Sequence, residues 1–354
     1  MKIHTVNETF FENILLQSQF DLTDPELSSC EKTDIKLMRG AFKEYLGIKD
    51  DKQKPTKLIS VREMLEQISA KFNWYLEVFP IEECMKVQSM CWSIRKYNCA
   101  NYSAESKRIN VQELANVSLK VYRGVSKEYY LAAKQFLTSP NTLVYLNDRT
   151  RNNYFECSAL GCYFVTCQNQ GLAAYSAFGH ETQHGVDGMM FDDMYPIFAE
   201  LGPIFFETLI DDYVENRFHA ANLHLDRLKN HNFSMNTLLG YLNMLKKFDD
   251  NGRTIIPGNI GSTLGVNTAD ELAKVYTLIM KDHFLRSMTY VLSFMKAIEL
   301  REIYCCDKNS AIQQLQACTG GYDIRIDYAT IIKSYENFLA ELDRKRIKAY
   351  MKKF

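Results

Sequence analysis

His180, Glu181 and His184 belong to the pentapeptide HETQH, and their types and spacing suit one kind of chemistry. Residues four apart on an α-helix lie one above the other, so two imidazoles at that spacing can reach a single metal ion. The glutamate between them projects beside the ion, where it can take a proton from a bound water. The HExxH pattern therefore points to zinc and to hydrolysis, with Glu181 as the general base. The chain has only 7 histidines, so the pattern is expected by chance on the order of one time in a hundred.

Two histidines do not complete such a site. A catalytic zinc takes three protein ligands and leaves the fourth position to water. The segment Tyr195 to Arg217, YPIFAELGPIFFETLIDDYVENR, offers Glu200 and Glu207. Seven residues make about two helical turns, which places both on nearly the same face of one helix. Both interrupt an otherwise apolar stretch, where an unpaired carboxylate is costly. One can bind the ion while the other orients the ligands around it. The residues alone leave open which does which.

The elements that must position these groups follow from pattern. Leu172 to Phe178 is apolar and small, as expected of a buried helix leading into HETQH. Asn141 to Cys167 is rich in β-branched and aromatic residues, with turn formers at Asn147 to Asn153 and Gly161. It is the one region expected to form sheet. Its last strand should flank the cleft, where an edge could pair with an extended peptide backbone. Elsewhere helical spacing dominates, most clearly over Leu58 to Phe79. Gly47 to Lys57 reads as an exposed connection, and Asn251 to Asn267 as a Gly/Pro/Asn-rich break. The expectation is a mostly α fold with a small β-sheet beside the active-site helix. An N-terminal helical region over 1–135 and a catalytic region over 136–354 should form one continuous unit.

Composition narrows the partners. With 354 residues, 46% of them hydrophobic, the chain can bury a sizeable core. Lys and Arg total 42 against 43 acidic residues, so charge gives no reason to expect nucleic acid or an anionic membrane surface. No run approaches the roughly 18 uncharged apolar residues of a membrane span, and the N-terminus lacks the pattern of a secretory signal. The expected location is cytoplasmic. Ten cysteines without a CxxC then read as reduced thiols, with Cys157, Cys162 and Cys167 structural and buried. His219 and His224 are five apart and share no helix face, and His231 follows in a polar turn, so these three read as structural. His4 lies in a terminus without other markers.

HETQH followed by AELGPIFFETLIDDY resembles the thimet oligopeptidase and oligoendopeptidase F family of zinc metallopeptidases. YLNDR leading to YFVTCQNQGLAAYSAFGHETQH is similar to the family's strand and loop before its HExxH helix, and HFLRSMTYVLSFMKAIELREIY to its substrate-facing segment. The likeness runs roughly from Val144 to Leu342. It implies a zincin-like (gluzincin) helical fold, Zn2+ held by His180, His184 and Glu200, a supporting role for Glu207, and a peptide substrate in an enclosed cleft. It also implies Tyr290 and His283 as donors to the developing oxyanion. The chain departs from the family in several places. Gln183 stands where members often have Gly, the interval from His184 to Glu200 is shorter, and Glu207 remains an alternative ligand. Leu292 and Phe294 stand where tyrosines are common, and His283 is about one residue out of register. The chain is also shorter than typical members. Two other readings compete with the endopeptidase: a non-catalytic peptide-binding protein on a peptidase scaffold, and a zinc hydrolase of a non-peptide amide.

Overall fold

The computed structural model describes residues 1–48, 108–147, 152–157, 160–194, 196–218, 223–224, 283–321 and 327–351. The helix expected from 58 to 79, the break from 251 to 267, most of the connection from 47 to 57, His219 and His231 lie outside them.

Nine helices and four strands are described. In chain order they are β1 (His4–Thr5), α1 (Glu8–Asp21), α2 (Ser29–Tyr45), α3 (Val111–Val125), α4 (Lys127–Thr138), β2 (Thr142–Asn147), β3 (Asn153–Cys157) and β4 (Cys162–Gln168). Then come α5 (Ala173–Met190), a 3-10 turn (Pro196–Phe198), α6 (Leu201–Phe218), α7 (His283–Cys306), α8 (Lys308–Thr319) and α9 (Tyr328–Met351). Local signals set several boundaries. The Asn110 side chain accepts from Glu113 N to start α3, and Ser126 both ends α3 and caps α4 through Tyr129 N. Ser28 and Glu31 form a reciprocal capping box on α2. No described helix is long and apolar enough to cross a membrane.

The sheet order is β1-β2-β4-β3, with β1 and β4 parallel to β2, and β3 antiparallel to β4. The mostly helical fold with a small sheet is as expected, but two details differ. His4–Thr5, two residues with no legible pattern, add a strand by pairing with Leu143 and Val144. The last strand, β4, does not flank a cleft with an open edge, because it is hydrogen-bonded on both sides. Among the described residues the edge beside it is β3.

Alternation along the strands divides the interior into two cores. Val144, Val165 and Cys167 face the main core with α3 to α9, whereas Tyr145, Cys157 and Phe164 face a smaller aromatic core with Phe11 of α1 and Phe42 of α2. The main core runs from Ile109 to Leu342, so α3 and α4 pack into the same interior as α5 and α6. Cys157 and Cys167 are buried and Cys162 is partly buried, all as free thiols.

Candidate metal centre

Helix α5 carries the HExxH residues through the middle of the main core. Every residue from Ala174 to Asp187 is buried except His184, which is partly so. The first turns are small and apolar, which lets neighbours close in. A Cβ at Gly179 would collide with Ile210 Cδ1 of α6, and one at Gly185 would collide with the ring of Phe136 of α4. From α3, the Tyr122 hydroxyl donates to the Gly179 carbonyl at 3.2 Å, one residue before His180. Its ring stacks on Phe206 of α6 with centroids 4.3 Å apart.

Helix α6 runs antiparallel to α5, because contacts fall along one helix as they rise along the other: Gly179 meets Ile210, His180 meets Glu207, and His184 meets Glu200. Glu207 lies within α6, but Glu200 lies in the turn just before Leu201, the helix's first residue. The expectation of one helix carrying both glutamates is corrected here; α6 begins one residue too late to include Glu200. The Glu200 carbonyl still accepts from Ile204 N at 3.0 Å. Behind it, Ser293 Oγ of α7 donates to the Ile197 carbonyl at 3.4 Å, which braces the turn carrying Glu200.

The carboxylates approach the imidazoles from two sides. Glu200 Oε2 lies 3.2 Å from His180 Nε2 and 3.4 Å from His184 Nε2. Glu207 Oε2 lies 3.4 Å from the other nitrogen of His180, Nδ1. Glu181 offers an oxygen that lies, with one nitrogen from each imidazole, in a group whose members are all within 4.8 Å of one another.

These separations test whether a metal fits. Ligand atoms at about 2.0–2.1 Å from a tetrahedral zinc stand roughly 3.3 Å from one another, and Glu200 Oε2 stands 3.2 and 3.4 Å from its two neighbours. Among the described residues Glu200 Oε2 has no aligned hydrogen bond despite its burial. Glu200 Oε2 therefore stands close to both Nε2 atoms, at separations that two ligands of one ion would have. Two neutral imidazoles and one carboxylate are a donor set that zinc accepts.

Electrostatics favours a cation at the same point. Burial alone would lower the pKa of His180, but the charge of Glu207 and the closeness of Glu200 carry it well above the ordinary histidine value. Burial likewise opposes, and Glu200 overcomes, a rise at His184. For Glu200 burial pushes upward, yet the two imidazoles hold it below the usual carboxylate range. Burial raises the Glu181 carboxyl despite the pull of both histidines. A buried carboxyl with a raised pKa is a better proton acceptor than an ordinary carboxylate.

Tyr290 of α7 is partly buried against the main core. His283 is the first residue of α7, and its side chain lies outside the described residues. His224 is fully buried, with Nε2 3.0 Å from Asp212 Oδ1, in keeping with a structural role.

Sequence reasoning missed Tyr154. Its ring on β3 stacks near-parallel to His184, with centroids 6.0 Å apart and planes 23° apart. Tyr154 pairs with Val165 in the β3–β4 register, which puts it on the face toward α5. Strand alternation was the signal that could have placed it there.

No family model matches this chain, and no curated protein matches it. Two solved structures are similar to it. One is a "putative peptidase" from Chlamydophila abortus, with TM-score 0.44 and 13% identity over 96% of this chain and 61% of that one. The other is a "putative oligoendopeptidase F" from Bacillus anthracis str. Ames, with TM-score 0.45 and 11% identity over 92% of this chain and 64% of that one. The chain thus spans less than two thirds of the length of either. At these scores the likeness assigns no role to any residue.

Proposed function

We propose that this chain is a zinc-dependent endopeptidase that cleaves oligopeptides or flexible protein segments, with the ion held by His180, His184 and Glu200. The observation that carries this reading is Glu200 Oε2 standing 3.2 and 3.4 Å from the two Nε2 atoms of an HExxH helix. Glu207, with Oε2 3.4 Å from His180 Nδ1, is the group that would set the tautomer and orientation of that imidazole when its Nε2 binds the ion. A zinc held by His180, His184 and Glu200 would supply a Lewis acid, able to lower the pKa of a bound water to about 7 and to polarise the scissile carbonyl.

The remaining work belongs to the protein. Glu181 accepts the proton of the attacking water and returns it to the leaving amine, a role worth roughly 10²- to 10⁴-fold in rate. Burial of Glu181 keeps bulk water from competing for that proton. The edge strand β3 lies beside α5 and can pair with an extended substrate backbone, which holds a peptide without reading its side chains closely. Tyr290 and His283 are the proposed donors to the oxyanion.

Metal analysis of the purified chain, coupled to cleavage of a random peptide library by wild type and Glu181→Gln, tests the reading. Stoichiometric zinc with cleavage by wild type alone supports it. Zinc without cleavage of any peptide would favour a peptide-binding protein or a hydrolase of another amide instead. Equal cleavage by Glu181→Gln would remove the proposed base.

A further inference from the structure

Asp187 lies three residues beyond His184 on α5 and is 1% exposed. Its Oδ1 accepts a 2.7 Å hydrogen bond from Gln183 Nε2. Its Oδ2 is buried with no hydrogen-bond partner among the described residues. The carboxylate lies against Gly202 in the first turn of α6, two residues past Glu200. A Cβ on Gly202 would fall 3.0 Å from Asp187 Cγ and 3.1 Å from Oδ1, and closer still to Oδ2. Only glycine allows that approach. The first turn of a helix is its electropositive end, with N–H groups not used inside the helix, and Pro203 gives up one of them at no cost.

We propose that Asp187 is a positioning residue for the metal centre, holding the first turn of α6, and with it Glu200, in register against the ligand helix. This rests on the zinc reading given above. Two close contacts join α5 and α6: Gly179 with Ile210 at one end, and Asp187 with Gly202 at the other. Along α5 His180 and His184 lie between these contacts and along α6 Glu207 does, while Glu200 lies two residues before Gly202, just outside the second contact. Glu207 is fixed by its own helix. Glu200 sits in a turn, where the backbone is less constrained, and a ligand must be held within about 0.5 Å of its productive place.

The Gly179 contact is an apolar one to a side chain that can rotate, whereas at Asp187 a buried carboxyl fits closely against the backbone of Gly202. Gln183 adds to this by fixing the carboxylate plane along the helix. An apolar side chain would fill the same space without the cost of burying a carboxyl, so its presence calls for a role beyond filling.

The test is a double-mutant cycle read as zinc affinity, measured by chelator competition on the full chain. Asp187→Asn is near-isosteric but puts an amide in place of the carboxyl that fits against Gly202. It should weaken zinc binding about tenfold or more, as loss of a group that orients ligands does, while melting of the metal-free protein changes little. On a Glu200→Ala background the same substitution should cost nothing further, because Asp187 acts through Glu200. Gly202→Ala, which pushes the carboxylate away from the other side, should repeat the pattern and serves if Asp187→Asn does not fold. Zinc binding unchanged by either substitution, or weakened equally on both backgrounds, would overturn the proposal while leaving the zinc reading intact. A wild-type chain that takes up no zinc would overturn the zinc reading itself, and this proposal with it.

Discussion

Glu207 faces His180 from behind, its Oε2 3.4 Å from Nδ1, while the Nε2 of the same ring looks toward Glu200. The two glutamates therefore act on one imidazole in different ways, and their removal should differ in degree. Glu200→Ala takes away a ligand, so a two-histidine site remains. Glu207→Ala leaves three ligands but frees the ring of His180, which should cost about 10- to 100-fold in zinc affinity. Chelator competition should rank wild type above Glu207→Ala and Glu207→Ala above Glu200→Ala. The reverse order would make Glu207 the ligand.

The glycines of α5 give a prediction about packing. Alanine is favoured over glycine in a helix by up to about 1 kcal/mol, but at Gly185 the new Cβ would meet three atoms of the Phe136 ring, which is buried and cannot retreat. Overpacking of this kind costs about 1–3 kcal/mol. At Gly179 the first obstacle is Ile210 Cδ1, the far end of a side chain that can rotate. Gly185→Ala should lower the urea midpoint more than Gly179→Ala does. Equal midpoints would show that the Phe136 ring yields as easily as Ile210.

What could be read from the sequence was whatever a helix repeats locally. The pairing of His180 with His184 follows from a four-residue period, and the sheet from the composition of Asn141 to Cys167. Contacts between elements were harder to read. Helical spacing joined Glu200 and Glu207 on one face, yet the helix starts at Leu201, and Glu200 reaches the imidazoles from the preceding turn. The His4–Thr5 strand is too short to carry a period of two, and the internal place of β4 depends on β2 and β3 pairing to its two sides, which strand pattern alone does not order. Gln183 and Asp187 are also four apart, but their link has no meaning until Gly202 is brought against them.

Tyr154 tests how much the sheet contributes to the site. Its ring stacks with His184 and also with Tyr163, at 6.3 Å between centroids. Aromatic pairs of this kind contribute about 0.5–1.5 kcal/mol, and here part of that goes into holding the His184 ring. Tyr154→Phe keeps the stack and should leave zinc affinity near wild type. Tyr154→Ala should weaken it by up to about tenfold, the equivalent of roughly 1.4 kcal/mol. If both variants bind zinc alike, the stack is packing alone.

The last prediction concerns pH, at an ion-pair network outside the HExxH cluster. Asp212 of α6 accepts two hydrogen bonds from Arg301 of α7, at 2.7 and 2.8 Å, and meets His224 Nε2 at 3.0 Å. Arg301 also donates to Glu341 of α9 at 3.0 and 3.2 Å, and Phe338 lies edge-on to the His224 ring. Burial would raise the Asp212 carboxyl, but His224 and Arg301 hold it well below the usual range. Burial would lower His224, but Asp212 first, with Asp211 and Glu215, raises it above the ordinary histidine value. A histidine whose pKa is higher folded than unfolded stabilises fully below its unfolded value near 6.5 and loses that contribution as pH rises through the folded value. Asp212 has the opposite sign, with its contribution present above about pH 3.9 and lost as acid protonates it. Between those limits both contribute. The stability difference between wild type and His224→Gln should therefore be largest near pH 6 and shrink steadily toward pH 9. Urea unfolding of the metal-free protein at each pH measures it, and a difference that stays constant across that range would mean that His224 does not carry the charge assigned to it.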